Sequence, residues 1–225
     1  MSVDLRLALQ AERADFLAER VRRLLGPFTG AEVALDSGCG TGSFAFALAP
    51  NVAEVVGVDL RVDYLEAARE AAPENVRFVE GDSTSLPFGY AQFDLACSHR
   101  VLHHVRRPEL VVSELVRVTR PGGRILVADQ LGSVDPLRSL EMDRFERLRD
   151  ATHQRLLPDQ DIRGYLDAND LVLLSSEIVS ERIDLEQRLE LAGFSEEERV
   201  RIRGAAPAAA YEIEVGWYVA RKSGP

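Results

Sequence analysis

Three glycines in five positions, Gly38, Gly40 and Gly42, stand in the stretch LDSGCGTGSF (35–44) between two apolar runs. Such a loop lets bare backbone lie against a ligand. Its spacing is G-x-G-x-G, one residue short of the dinucleotide fingerprint G-x-G-x-x-G. Asp59 follows about 17 residues after Gly42, where a carboxylate accepts hydrogen bonds from vicinal ribose hydroxyls. The implied ligand therefore has a ribose, and a nicotinamide dinucleotide and a nucleoside-like cofactor both fit. Asp36, just before the glycines, would oppose a pyrophosphate and suits an ammonium group. Asp82, in EGDSTSLPF (80–88), is placed to accept from an adenine amino group while the Ser83 N–H donates to a ring nitrogen. Three of the four histidines, His99, His103 and His104, crowd into six positions, and histidine is suited to proton transfer near neutral pH.

The elements that must position these residues are readable from periodicity. Leu5, Leu9, Phe16, Leu17, Val21, Leu24 and Leu25 recur near helical spacing over 3–25, and Gly26-Pro27 ends the run. Strands are expected at 32–36, 55–60, 76–82, 93–98 and 124–130, separated by helices at 43–49, 61–72 and 108–120. Strands alternating with helices indicate a parallel sheet covered on both faces, with the ligand outside the carboxyl ends of the strands. Beyond 130 the pattern changes. A helix over 135–153 starts with Asp135 as N-cap and Pro136 at N1. A second helix follows near 159–168, then a strand at 171–180. Helices at 184–192 and 196–204 come next, the latter opened by the capping-box pair Ser195 and Glu198. A closing strand runs over 211–222.

The 225 residues carry a net charge of −10, from 27 basic and 37 acidic side chains. That surface repels phosphate backbones, so no nucleic-acid partner is expected. No apolar run approaches the ~18 residues of a membrane helix. The charged N-terminus has no signal-peptide core, which predicts a cytoplasmic location. Two cysteines, Cys39 and Cys97, are too few for a disulfide framework or a zinc site; no metal is expected, and both thiols read as inert small residues.

Taken together these stretches resemble the class I S-adenosylmethionine-dependent methyltransferases. LDSGCGTG is similar to that family's first motif, VVGVDL to its second and VEGDSTSLPF to its adenine-binding segment; FDLACSHRVLHHV and RPGGRILVAD resemble the later ones. The resemblance covers roughly 30–130. Within the class, LPF, LHHV and PGG look most like the branch that includes ubiquinone and menaquinone biosynthesis methyltransferases. Ser37 departs from the apolar residue usual there. The resemblance implies an α/β doubly wound seven-stranded sheet, order 3-2-1-4-5-7-6, with the last strand antiparallel, helices on both faces and a small helical cap. It implies one domain over 1–225: an N-terminal helix (1–27), a cofactor core (30–130), cap insertions (131–168 and 181–208) and closing strands (171–180 and 211–222).

The resemblance also implies site roles. Asp36, Gly38, Cys39, Gly40 and Gly42 would meet the methionine part of S-adenosylmethionine, Asp59 and Leu60 the ribose side, and Gly81, Asp82 and Ser83 the adenine. Ser98 and His99 would lie near the methionine portion and the reactive sulfonium. His99 is the first candidate general base and His103 the second. Arg100, Asp150, His153 and Arg155 are candidates for acceptor contact from the cap, with Asp150 and His153 sharing a helix face. The expected reaction is in-line methyl transfer to a small-molecule acceptor at carbon, oxygen or nitrogen, leaving S-adenosylhomocysteine; a homodimer is a possible assembly. The alternatives are a non-catalytic cofactor-binding sensor or activating subunit, and a nicotinamide-dependent dehydrogenase. Plainer readings stand beside these: Gly40 and Gly42 serving only the turn, Asp59 capping a helix, Asp82 an ordinary turn acid, and His103 and His104 packing residues.

Overall fold

A computed structural model describes residues 3–224, without the side chains of residues 4–6 and 191, so Leu5 lies outside the described side chains. Helix α1 (Val3–Leu25) leads into β1 (Val33–Ser37), α2 (Ser43–Leu48), β2 (Glu54–Asp59), α3 (Val62–Glu70), β3 (Val76–Glu80) and β4 (Phe93–His99). Then follow α4 (Pro108–Val118), β5 (Thr119–Gln130), α5 (Pro136–Arg149), α6 (Asp159–Asp167) and β6 (Leu171–Asp184). Helices α7 (Leu185–Leu191) and α8 (Glu196–Ala205) precede β7 (Ala210–Lys222). The seven strands form one sheet in the order β3-β2-β1-β4-β5-β7-β6. β1 to β5 pair in parallel, and β7 runs antiparallel to both β5 and β6.

The near-continuous apolar runs of β1, β2 and β4 mark strands buried on both faces. On one face Leu17, Val21 and Leu25 of α1 pack with Phe44 and Leu48 of α2 and Leu65 of α3. On the other, Val111, Val112 and Leu115 of α4 meet Ile162 and Leu166 of α6. A third, smaller cluster joins Phe145 of α5 to Leu185 and Leu189 of α7 and Ile202 of α8, and this is the cap.

Several elements differ from their sequence-based bounds. The RPGG segment, ahead of the strand expected at 124–130, is taken into β5, with a register irregularity between Phe93 and Leu95 on the neighbouring strand. β6 runs on to Asp184, so the second cap insertion begins at α7 rather than at 181. Helix α5 stops at Arg149, not 153. Its start is as expected, with Asp135 accepting from the Leu137 N–H at 2.8 Å. Its buried face is not the one its leucines suggest. Leu137 and Leu140 are exposed, while Asp143, Phe145 and Glu146 are buried. The helix serves two surfaces: Phe145 packs in the cap cluster, while Glu146 and Arg149 line a polar cavity.

Candidate functional site

A cleft of about 400 Å³ opens at the carboxyl ends of β1, β2 and β4. Its floor is the glycine loop. Gly38 and Cys39 N–H groups both donate to the Val58 carbonyl, at 2.7 and 2.9 Å, which ties the loop to β2. Gly38 and Gly42 have positive φ, 76° and 90°. A Cβ on Gly38 would collide with Val101, and one on Gly42 would come within 2.8 Å of Phe46. These two positions therefore need glycine for both conformation and packing.

Asp36 forms part of the cleft wall, and its Oδ2 has no hydrogen-bond partner. Burial pushes its pKa up to about 7, with the nearby charge of Asp59 adding to the effect; the Ala45 N–H opposes it. Asp59 is half-buried. Its Oδ2 accepts from Gly40 N at 2.8 Å and its Oδ1 from Arg61 N at 2.9 Å, so backbone donors set the carboxylate plane at the cleft edge. Leu60, Asp82 and Ser83 continue that wall. Asp82 Oδ1 accepts from both the N–H and the hydroxyl of Thr84, each at 2.7 Å, in a local turn.

Four expected residues, Gly40, Gly42, Gly81 and Ser98, do not line this cleft. Ser98 is buried and pairs with Val127 of β5, because the two-residue period of β4 turns it away from the side that His99 faces. Gly40 serves the site through its N–H to Asp59, and Gly81 packs its Cα within reach of Pro87. Cys39 and Cys97 are buried free thiols, pushed well up in pKa by that burial.

His99 lies on the cleft wall between two rings, with centroids 5.1 Å from Phe44 and 5.3 Å from Trp217. Burial, with the Arg100 charge, holds its pKa well below the ordinary histidine value. His103 faces a second, inner cavity of about 70 Å³ under the cap. Its Nδ1 is hydrogen-bonded to Asp129 Oδ1, while Asp129 Oδ2 accepts from Leu102 N at 2.6 Å. Burial alone would raise the Asp129 pKa, but His103 and the Gln130 N–H outweigh it and hold it below its ordinary value. His104 lines both cavities. Its Nδ1 is 3.0 Å from the Thr152 hydroxyl, which itself donates to Asp150 Oδ1 at 2.7 Å.

The cap residues are arranged differently from the expectation. Asp150 and His153 lie beyond the last turn of α5 and do not share a helix face. His153 Nε2 instead meets Asp143 Oδ1 at 2.8 Å, and the same oxygen accepts from Leu156 N at 2.8 Å. Both Asp150 and His153 still line the inner cavity. Arg155 does not: the turn after α5 directs it outward, where it reaches the Tyr165 hydroxyl at 3.3 Å. Arg100 adopts φ 60° at the end of β4 and lines both cavities. Among the described residues no His, Cys, Asp and Glu cluster has the arrangement of a metal site, and no helix is long and apolar enough to cross a membrane.

Residues 35–127 match the family described as a methyltransferase domain. Over that segment the chain is similar to methyltransferase domains. The uncharacterised methyltransferase YcgJ of Bacillus subtilis is 35% identical over 141 residues, covering 61% of this chain and 56% of YcgJ. The demethylmenaquinone methyltransferase of Clavibacter sepedonicus is 38% identical over 109 residues, covering 48% and 44%. The chain thus spans about half the length of the curated relatives it matches. The crystal structure of YcgJ superimposes with a TM-score of 0.84 at 23% identity, covering 94% of this chain and all of that one. Phosphoethanolamine N-methyltransferase 2 of Haemonchus contortus, in complex with phosphomonomethylethanolamine and S-adenosylhomocysteine, gives 0.68 at 19% identity, covering 93% and 53%. At such identities the structural likeness establishes the methyltransferase fold.

Around the cleft, sequence reasoning missed several side chains. Asp129 ends β5, and an acid at the carboxyl end of a central strand was a usable signal. Gln10 and Arg13 of α1, Glu181 of β6, Arg188 of α7 and Trp217 of β7 carried none, because each reaches the site only through tertiary packing. Gln10 meets the Thr41 hydroxyl at 2.9 Å. Arg13 holds Glu181 through two contacts of 2.7 and 2.9 Å, and Arg100 reaches the same carboxylate at 2.6 Å. Burial would raise the Glu181 pKa, but the two guanidiniums hold it down to about 2. A carboxylate depressed in the folded state contributes stability above its unfolded pKa and loses it as pH falls toward the folded value. Glu181→Gln is therefore expected to cost about 3 kcal/mol at pH 7, and less as the pH is lowered through 4.5 toward 2. Urea unfolding of both proteins across that range measures it; equal stability at pH 7 would remove this clamp from the account.

Proposed function

We propose that this protein transfers a methyl group from S-adenosylmethionine to a small-molecule acceptor. The observation that carries the reading is Asp36, a buried carboxyl with one oxygen unpartnered, facing a glycine-floored cleft. An α-ammonium group would supply the missing partner. The cradle suits the cofactor as a whole: bare backbone at Gly38 for the methionine part, the Asp59 carboxylate for ribose hydroxyls, and Leu60, Asp82 and Ser83 for the base. The Haemonchus contortus neighbour, with S-adenosylhomocysteine bound, and the demethylmenaquinone methyltransferase relative support the same assignment.

When bound, S-adenosylmethionine supplies an electrophilic methyl group. What remains for the protein is to align the acceptor and keep water out. Helix α1 covers the cleft, held by Gln10–Thr41 and by Arg13 on Glu181. Phe44, His99 and Trp217 make an aromatic wall. Where the acceptor must lose a proton, His103 is the base of this proposal rather than His99. Asp129 holds His103 Nδ1 as the donor, which leaves Nε2 to accept. His99, pushed down in pKa, stays neutral but binds a proton weakly, and we assign it to the wall. A cytoplasmic location belongs to the same reading.

Calorimetry with S-adenosylmethionine and with NAD tests the cofactor. Preference for NAD would overturn the proposal, and binding with no transfer to any acceptor in a metabolite extract would favour a sensor. Asp59→Ala is expected to weaken S-adenosylmethionine binding by ~1.5–3 kcal/mol, the contribution of hydrogen bonds to a charged acceptor. An unchanged dissociation constant would place the ribose elsewhere.

A further inference from the structure

The inner cavity under the cap has chemistry of its own. It shares Arg100, His104 and Arg188 with the cofactor cleft, so a molecule in it abuts the site of transfer. Its other arginines have partners. Arg100 is held by Glu181, and Arg149 by Glu146 at 3.1 Å and the Tyr211 hydroxyl at 2.5 Å. Arg188 differs: among the described residues its guanidinium has no hydrogen bond or ion pair. It is held in place all the same, because Leu185 and Leu189 anchor α7 in the cap cluster. Burial and the charges of Arg149 and Arg100 lower its pKa to about 10, which leaves it a cation at neutral pH. A part-buried cation among like charges is costly to keep and is a ready-made site for an anion.

We propose that the acceptor carries a carboxylate and that Arg188 holds it in the inner cavity. This rests on the methyltransferase reading and adds the chemical class of the acceptor. The planar fork of a guanidinium matches a carboxylate through two parallel hydrogen bonds. A dianion such as a phosphate monoester is disfavoured, because Glu146 and Asp150 also line the cavity and Asp129 lies behind His103. The assignment also accounts for the face of α5 that is buried. A carboxylate with its counter-charge needs polar walls, which Glu146, Gln130 and His153 provide.

The test uses the protein saturated with S-adenosylhomocysteine and titrated by calorimetry with benzoate, benzamide and phenyl phosphate. Benzoate is expected to bind about ten- to a hundredfold tighter than benzamide, the range for a hydrogen bond to a charged group. Arg188→Gln abolishes that preference and Arg188→Lys restores part of it, each read on protein saturated with S-adenosylhomocysteine. Thermal melting of Arg188→Gln without ligand is expected no lower than that of the wild type, since the change removes an unpaired cation. Equal affinity for benzoate and benzamide, including no binding of either, would overturn the proposal, as would a preference that survives in Arg188→Gln. Tighter binding of phenyl phosphate would overturn the carboxylate assignment. Failure of S-adenosylhomocysteine itself to bind would instead bring down the methyltransferase reading, so the two failures are told apart.

Discussion

Asp36→Asn is expected to make the ligand-free protein more stable and the cofactor complex weaker. The Asp36 carboxyl has its pKa raised from 3.8 to about 7 by burial. The folded state thus holds a proton that the unfolded state releases, and wild-type stability falls as pH rises from 3.8 toward 7. Asparagine has no such titration. Its advantage should be near zero at pH 4 and grow to ~2–4 kcal/mol at pH 8, at about 1.4 kcal/mol per pKa unit. Chemical denaturation at the two pH values measures it. Cofactor binding moves the opposite way. An ammonium group pairs with the ionised carboxylate only, so the wild type must first lose the proton. S-adenosylmethionine is expected to bind about tenfold more weakly at pH 6 than at pH 8, because a carboxyl with a pKa of about 7 is about one-tenth ionised at the lower pH and about nine-tenths at the higher. In Asp36→Asn that dependence vanishes, and affinity at pH 8 drops by ~1.5–3 kcal/mol. A variant that keeps wild-type affinity at pH 8 would detach Asp36 from the ammonium group. The cofactor, on this account, relieves the destabilisation caused by burying the Asp36 carboxyl.

Asp129→Asn is expected to impair both the fold and turnover. The carboxylate is fully buried and has Leu102 N, Gln130 N and His103 Nδ1 around it. The neutral amide keeps the shape but turns one acceptor into a donor facing donors. A loss of about 3 kcal/mol is expected, as when one partner of a buried charged pair is removed. It would be read from urea unfolding at neutral pH. Turnover should fall by about 10²-fold or more, the range for a general base that loses its orientation. The dissociation constant for S-adenosylmethionine should stay close to wild type, since Asp129 does not line the cleft. His103→Gln should show the same split with little loss of stability. If either variant turns over like the wild type, His103 is not the base and its bond to Asp129 is structural.

The candidate site was legible in the sequence as far as each residue belongs to a strand end. Asp36 lies near the end of β1, Asp59 ends β2, Asp82 comes just after β3, and His99 closes β4. Their common position comes from the doubly wound topology, in which all parallel strands end on one side. Ser98 is buried and does not line the cleft, a distinction that depends on which side of β4 faces it. The cap was less legible. Phe145 of α5 packs in the apolar cap cluster while Glu146 and Arg149 of the same helix line a polar cavity, and His153 meets Asp143 rather than Asp150.

The order of the elements, the glycine loop and the acids at the strand ends are local facts, set by periodicity, turn chemistry and the few residues on either side of each. The sequence alone determined those. Only the tertiary structure decided that Arg13 meets Glu181 across 168 residues and that Arg100 shares the same carboxylate across 81. It alone set Trp217 of the last strand against His99 and left Arg188 unpartnered between two cavities. Such pairs depend on how separate elements pack, and helix or strand periodicity has no reach over that distance.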